Sequence, residues 1–431
     1  MAGVHRPDTN EPVVGSAYIL AGTLISDGAA TADSVVAVAD GRIAYAGPRS
    51  GFDAARFPVA AELKLPPGSS ILPGLVDLHC HGAAGGGFPT GDSHACRDAV
   101  SFLHRNGTTT LLASLVTASG QELVRGVGVL RQLADEGLIA GIHSEGPFLA
   151  QARCGAQDPE WLRAPDPDLL RRLLDAAGGT LKTMTYAPEL PGADALVSML
   201  AANGVTPSLG HTDADAQTTA DSLTGAAESL RARARAGALN ATSSGDPGPG
   251  TGQRPTVTHL FNGMPPLHHR SPGPVAACLR LAARGTVAVE LIGDGVHLDP
   301  GTVRMVFELV GAGNVVLVTD SMAATGLPDG DYALGPSAVV VRDGVAALKS
   351  NGALAGGTAT LLEVVRRTIG AGVSPADAVK SATLVPARIL GLEAEIGSLK
   401  AGMRADIVAV DGDFGLIAVL RGGQPLARPA A

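Results

Sequence analysis

The sequence has little cysteine, few aromatic residues and no long apolar run. Four cysteines are scattered along 431 residues without a CxxC pair, and aromatic residues make up 3% of the chain. So few thiols exclude a disulfide scaffold and are typical of a reducing compartment. No apolar run reaches the roughly 18–20 residues of a membrane helix, and the amino terminus lacks the pattern of a signal peptide. We therefore expect a cytoplasmic protein that does not bind a membrane.

The chain also has fewer positively charged than negatively charged residues. The 32 Lys and Arg residues are outnumbered by 41 Asp and Glu, which gives a net charge of −9. This balance argues against a nucleic acid as the main partner, although one local basic pocket stays compatible with it. The chain is 45% hydrophobic and contains 57 glycines. A chain of this length and composition can bury a large aliphatic core.

Short apolar runs alternate with helical periodicity through the middle of the chain. Eight such runs occur, at residues 72–79, 108–114, 138–145, 182–188, 205–211, 256–260, 286–293 and 314–320. Eight strand–helix repeats over this length predict a parallel (β/α)8 barrel of the TIM type over residues 73–389. An open, doubly wound sheet is the structural alternative.

Both ends of the chain differ from this middle region. They contain β-branched runs broken by turn dipeptides such as Asp40-Gly41 and Asp411-Gly412. These patterns predict a small β-sandwich domain built from residues 1–72 together with 390–431. Residues 223–255, which end in "TSSGDPGPGTGQRP", have the composition of a flexible surface insertion.

Histidines and acids recur where the predicted strands end. The stretch "VDLHCHG" places His79 and His81 two residues apart, on one face of a strand. Later strand ends carry further histidine and carboxylate side chains, namely His143, Glu145, His211, His259, Asp294, His297 and Asp320. Barrel enzymes build their active sites at this rim, so the set predicts one catalytic centre.

Imidazole and carboxylate ligands without a thiolate suit Zn²⁺, or alternatively Fe²⁺, Mn²⁺ or Co²⁺. Glu145, His211 and His259 would hold one ion and leave a position for a water molecule. His79, His81 and Asp320 would complete a second position, so we expect one or two ions per subunit. Asp320 is the predicted general base and acid.

Several motifs together resemble the amidohydrolase superfamily, and within it the N-acetylglucosamine-6-phosphate deacetylases. They are "PGLVDLHCHG", "HSEGPFL", "GHTDA", "THLFNGMPPLHHRSPG", "LIGDGVH", "LVTDSMAATGLPDG" and "IGSLKAGMRADIVAVD". The resemblance spans about residues 17–411, apart from the insertion. It implies hydrolysis of the acetamide of N-acetylglucosamine 6-phosphate, in amino-sugar catabolism and cell-wall recycling, by a homodimeric enzyme.

The resemblance also implies roles for individual residues. Glu145, His211 and His259 match metal ligands, His79 and His81 match an additional pair, and Asp320 matches the catalytic acid and base. His297 is expected to donate to the oxyanion, and Arg270, with His268 or His269, to hold the phosphate. The other residues expected to contact substrate are Ala156, Gln157, Asn262, Gly263, Asp294, Leu354, Ala355 and Gly356. Cys154 is a candidate lid residue, with an incidental small residue as the alternative. His143 either orients a ligand or is a hydrogen-bonded core histidine.

Other functions stay open at this point. Another hydrolase of the same superfamily, such as a D-amino-acid deacylase, an adenine-type deaminase or a cyclic-amide hydrolase, would keep these histidines. A non-enzymatic relative would have lost one of Glu145, His211, His259 and Asp320, and all four are present.

Overall fold

The structure is a computed structural model that describes residues 17–58, 60–240 and 253–427. Its strands are β1 (Ala17–Ser26), β2 (Ala29–Ala39), β3 (Arg42–Pro48), β4 (Ala61–Glu62), β5 (Ser70–Pro73), β6 (Leu75–Cys80), β7 (Gly82–Ala83), β8 (Gly86–Gly87), β9 (Thr108–Leu115), β10 (Gly141–Glu145), β11 (Leu181–Tyr186), β12 (Thr206–Leu209), β13 (Thr256–Val257), β14 (Ala288–Leu291), β15 (Val315–Leu317), β16 (Gly330–Leu334), β17 (Ser337–Arg342), β18 (Val345–Leu348), β19 (Ile407–Val410), β20 (Leu416–Arg421) and β21 (Gln424–Pro425). Its α-helices are α1 (Ser93–Arg105), α2 (Gly120–Asp135), α3 (Pro167–Ala177), α4 (Ala193–Ala202), α5 (Ala216–Asn240), α6 (Gly273–Ala283), α7 (Pro300–Val310), α8 (Leu361–Gly370), α9 (Pro375–Ser381) and α10 (Leu384–Ile389).

Eight parallel strands form the barrel, in the order β6, β9, β10, β11, β12, β13, β14 and β15. The ring closes where the chain after β15 meets the end of β6. There the Asp320 amide donates to the His79 carbonyl at 2.9 Å, and the His81 amide donates to the Ser321 carbonyl at 2.7 Å. Each predicted apolar run overlaps one of these strands. The prediction of a (β/α)8 barrel is therefore confirmed, and the open-sheet alternative is wrong.

Local sequence explains where the outer helices begin. Ser119 and Glu122 form a capping box at the start of α2, and Thr360 and Glu363 form another at the start of α8. Each box satisfies backbone N–H groups that the first helical turn leaves without partners. The helices α1–α8 each follow one barrel strand, so every strand-to-helix segment emerges at the same rim.

The two chain ends share one sheet, in the order β21, β20, β19, β5, β1, β2 and β3, with β4 paired to β1. Residues 41–43, at the start of β3, hydrogen-bond with residues 402–405, in the segment that precedes β19. Val36, Ile43, Ile71 and Ile407 belong to its common core. A small β domain from both termini was predicted. Its proposed limits include residues 1–16 and 428–431, which lie outside the described residues.

An antiparallel sheet of β16, β17 and β18 lies between β15 and α8. This sheet was not predicted from the sequence, because its valine-rich segment falls within the range assigned to the barrel. Leu334 and Val339 of this sheet pack with Met322 and Ala355 in one buried cluster. The sheet therefore covers one side of the barrel rim.

Helix α5 corrects the predicted start of the surface insertion. Leu223, Ala226 and Leu230 are buried on α5, so residues 223–230 still pack on the barrel, whereas residues 231–236 are exposed. Residues 241–252 lie outside the described part. Neither α5 nor any other described helix is both long and apolar enough to cross a membrane.

Candidate metal centre

The six predicted ligands meet at one end of the barrel. His79 and His81 lie at the end of β6, Glu145 ends β10, and the other three follow β12, β13 and β15. His211, His259 and Asp320 have positive φ angles of 49°, 27° and 48°. Such backbone conformations are unfavourable for residues other than glycine and cluster at functional sites.

Glu145 lies at the centre of this arrangement. Its Oε1 atom is 2.9 Å from His211 Nε2 and 2.9 Å from His259 Nε2. These three side chains are buried and form a group that could hold a metal ion. We call Glu145, His211 and His259 the first metal group.

A second group shares the same carboxylate. The Nε2 atoms of His79 and His81 are 3.1 Å apart, and Glu145 Oε2 lies 3.7 Å and 3.2 Å from them, respectively. Asp320 Oδ1 is 3.4 Å from His79 Nε2 and 3.2 Å from His81 Nε2. We call His79, His81, Glu145 and Asp320 the second metal group.

The donor sets fit divalent metal ions. Ligands about 2.0–2.1 Å from a tetrahedral Zn²⁺ lie about 3.3 Å from one another, close to the separations seen in both groups. Two imidazole nitrogens 3.1 Å apart, facing two carboxylates, also call for a cation or a proton between them. The first group has three protein ligands, which leaves a position for water or substrate. The second group has four.

Hydrogen bonds fix the ring orientations of three ligands. Nδ1 of His211 donates to the Arg153 carbonyl at 2.8 Å, and Nδ1 of His81 donates to the Ser114 carbonyl at 3.1 Å. Nδ1 of His79 lies 3.3 Å from Glu290 Oε2. In each ring Nε2 is then the atom left to bind a metal.

Glu290 was not among the residues predicted from the sequence. This glutamate is 1% exposed on β14, and its carboxylate also accepts a hydrogen bond from the His259 amide at 3.3 Å. A charged residue inside the apolar run "VAVELIG" was the available signal, because an acid is seldom fully buried without a partner.

The charges of the site shift the pKa values of His79 and Asp320. Burial alone would lower the pKa of His79, but the charges of Asp320 and Glu145 outweigh it and raise that pKa well above its usual value. Burial acts to raise the pKa of Asp320, but attraction to His79 and a hydrogen bond from His81 hold it at about 2. Asp320 is therefore ionised at neutral pH.

His143 does not belong to either metal group. Its Nδ1 is 2.9 Å from Ser114 Oγ and its Nε2 is 2.8 Å from Thr185 Oγ1. Its ring packs edge-on against that of His79, with centroids 4.5 Å apart. Burial and the neighbouring His79 lower the pKa of His143 well below its usual value. The ring is therefore neutral and supports His79 by packing.

A cavity of about 260 Å³ opens beside the two groups. Its lining includes seven of the residues expected to contact substrate, which are Ala156, Gln157, Asn262, Gly263, His297, Leu354 and Gly356. Asp294 orients His297, because its Oδ2 accepts from the ring Nδ1 at 2.8 Å. Gly356 has a φ of +83°, and a Cβ there would lie 2.8 Å from the Asp320 carbonyl oxygen, so the close approach requires glycine.

Five of the predicted substrate-contact and lid residues do not line the cavity. The described residues that line it do not include Asp294, His269, Arg270, Ala355 or Cys154. His269 and Arg270 are exposed on the segment that follows Asn262 and Gly263. Ala355 is fully buried under the sheet of β16–β18. Cys154 is partly exposed, and its carbonyl accepts from the Gln157 amide at 2.9 Å.

Comparison with known sequences supports a hydrolase. Residues 70–427 match the model of the amidohydrolase family. The N-acetylglucosamine-6-phosphate deacetylase of Bacillus subtilis (strain 168) is 33% identical over 375 residues, which cover 85% of this chain and 87% of that relative. The N-acetylgalactosamine-6-phosphate deacetylase of Escherichia coli O157:H7 is 31% identical over 79% of this chain and 83% of its own.

Solved structures agree with these relatives. An aspartate-to-alanine mutant of the N-acetyl-D-glucosamine-6-phosphate deacetylase from Mycobacterium smegmatis, in complex with N-acetyl-D-glucosamine-6-phosphate, matches with a TM-score of 0.82 and 35% identity. The match covers 96% of this chain and all of that one. The deacetylase from Thermotoga maritima matches with a TM-score of 0.76 and 27% identity over 95% of this chain and all of its own. This chain belongs to the amidohydrolase family, and within it to the group of amino-sugar-phosphate deacetylases.

Proposed function

We propose that this protein hydrolyses the acetamide of N-acetylglucosamine 6-phosphate to give acetate and glucosamine 6-phosphate. The observation that carries the proposal is the shared cavity: the first metal group, Asp320 and His297 all border the same space of about 260 Å³. A space of this size suits a single sugar unit rather than a polymer.

Glu145, His211 and His259 are the residues that would hold the ion nearest the acetamide. When bound, a divalent ion supplies Lewis acidity toward the carbonyl and lowers the pKa of water. We propose Zn²⁺, because imidazole and carboxylate ligands in a four-coordinate arrangement suit it.

Asp320 is the proposed proton carrier. Its carboxylate borders the cavity and is ionised at neutral pH, so it can accept a proton from the attacking water. It can then donate that proton to the amine nitrogen as the C–N bond breaks. Without this transfer the amine would have to leave as an anion, which is far less favourable.

His297 is the proposed donor to the developing negative charge on the acetamide oxygen. Asp294 accepts from its Nδ1 atom at 2.8 Å, so Nε2 is the ring atom left for the cavity. The hydrogen bond and charge of Asp294 outweigh burial and raise the pKa of His297 above its usual value. A protonated ring is a stronger donor to an oxyanion.

Arg270 and His269 are the proposed phosphate contacts. They lie in the segment between Gly263 of the cavity wall and the start of α6, and arginine binds phosphate oxygens through charge-assisted hydrogen bonds. Both are exposed, so we also propose that the site is completed in a homodimer. The exposed apolar residues Leu267, Met305 and Leu309 support a subunit contact.

The four cysteines form no disulfide, which supports a cytoplasmic location.

Product analysis tests the proposal. Zinc-loaded protein is incubated with N-acetylglucosamine 6-phosphate, N-acetylgalactosamine 6-phosphate or an N-acetyl-D-amino acid, and acetate and free amine are measured. We expect equal amounts of acetate and glucosamine 6-phosphate and slower release from the other compounds. Faster release from the N-acetyl-D-amino acid would replace the proposal by a D-amino-acid deacylase.

A further inference from the structure

Gln157 has contacts that differ from the sugar contact expected from the resemblance. It is buried, and its side-chain Nε2 donates to Glu145 Oε2 at 2.6 Å. Its Oε1 accepts from the Thr117 backbone amide at 2.7 Å. The orientation of the Gln157 amide is unambiguous, because a backbone N–H only donates and an ionised carboxylate only accepts.

The Glu145 oxygen that Gln157 holds is the one that faces the second metal group. Oε1 lies 2.9 Å from both His211 and His259. Oε2 lies 3.2 Å from His81 Nε2 and receives the Gln157 amide. The carboxylate therefore presents one oxygen to each group, and Gln157 ties Oε2 to the backbone amide of Thr117.

A glutamate beside a single cation has another favourable orientation. It can turn so that both oxygens face the same ion, as carboxylates do when they bind in a bidentate manner. In Glu145 that rotation would withdraw Oε2 from His79 and His81. The second group would then keep His79, His81 and Asp320 and would lose one of its negatively charged ligands.

We propose that Gln157 is a positioning residue that holds Glu145 as a bridge between the two metal groups and so maintains binding at the second. The inference rests on the proposed metal centre but concerns the number of ions bound, not the substrate. Partners that orient metal ligands affect metal affinity by about 10- to 100-fold when they are removed.

Metal binding by Gln157→Leu tests this role. Metal-free protein is titrated with Zn²⁺ against a competing chelator, and ions per chain are counted after equilibrium dialysis. Titration with Co²⁺, followed by its visible spectrum, reports the two environments separately. We expect two equivalents in the wild type. In Q157L we expect an unchanged first equivalent and a second that binds about 10- to 100-fold more weakly.

Two further variants control for side effects. Gln151→Leu makes the same change at an exposed position of the same loop, and we expect it to keep both equivalents. Gln157→Asn keeps the amide but is one methylene shorter than the span from Thr117 to Glu145, so it should show the same selective loss as Q157L. An unchanged first equivalent also shows that the variants are folded.

The outcomes separate this inference from the proposed function. Two equivalents of unchanged affinity in Q157L, loss of both equivalents together, or a single equivalent in the wild type would each overturn the role of Gln157. Deacetylation of N-acetylglucosamine 6-phosphate would stand in all three cases. Suppose that Q157L selectively loses the second ion but the wild type releases no acetate from N-acetylglucosamine 6-phosphate. This result would uphold the role of Gln157 and refute the proposed substrate.

Discussion

Replacing Asp320 by asparagine removes one negative charge and one proton acceptor while it keeps the size of the side chain. Asp320 Oδ1 lies within 3.4 Å of His79 and His81, and the side chain borders the substrate cavity. Asparagine can occupy the same space, so we expect the fold and the first metal group to be retained. The charge that raises the pKa of both histidines is reduced, and their pKa values should fall.

The expected effect lies on kcat. General acid–base catalysis by a positioned side chain contributes about 10²- to 10⁴-fold, so D320N should raise the activation free energy by about 3–5 kcal/mol. KM should change little, because the proposed phosphate contacts and the cavity residues that face the sugar remain in place. A loss confined to kcat is the signature of an interaction needed in the transition state.

The assay measures acetate release under initial-rate conditions, with the metal content of each preparation determined in parallel. Asp331→Asn is the matched control, because Asp331 forms an exposed ion pair with Lys349 on the sheet of β16–β18, and such pairs contribute little. A D320N enzyme that keeps the first-group metal and has a kcat within tenfold of the wild type would refute the assigned role. Loss of the first-group metal in D320N would instead make Asp320 a structural residue.

Three further predictions concern binding, catalysis and stability. Arg270→Gln should raise KM for the phosphorylated sugar about 10- to 100-fold and leave the unphosphorylated sugar unaffected, whereas an equal change for both would contradict a phosphate contact. His297→Asn should lower kcat about 10²- to 10³-fold with little change in KM, and a change in KM alone would assign the ring to substrate binding only. Burial, with the charges of Arg421 and Arg404, lowers the pKa of His104 to about 3. The unfolded chain then binds a proton first, so stability is lost as the pH falls from about 6.5 toward 3. Urea unfolding should show that the wild type loses about 2 kcal/mol more than His104→Gln between pH 7 and pH 5, and equal losses would show that His104 is not buried neutral.

The barrel could be predicted from local pattern, whereas several contacts within it could not. Each strand is a short apolar run between turn residues, and parallel strands place their carboxyl ends together, so the position of Glu145 among His79 and His211 followed from the order of the runs. The sheet of β16–β18 was not predicted, because a hairpin inserted after a barrel strand has the same pattern of apolar residues as the strand itself.

The missed side-chain roles depend on contacts between distant parts of the chain. Glu290 approaches His79 because closure of the barrel leaves β14 and β6 on either side of β15, although the two residues are 211 positions apart in sequence. Gln157 was assigned to the sugar from the resemblance, but its bond to Glu145 depends on how the loop after β10 folds back over the strand ends. Arg270 lies on a segment, residues 266–270, that is exposed in the single chain.

The most direct test of the account couples metal binding to acetate release in one titration. Metal-free protein receives Zn²⁺ in steps, and the rate of acetate release from N-acetylglucosamine 6-phosphate is measured at each step. We expect no release from metal-free protein and a rate that rises with occupancy of the group formed by Glu145, His211 and His259, with no rise in His211→Asn. Equal release with and without metal, or no release from the fully loaded protein, would contradict it.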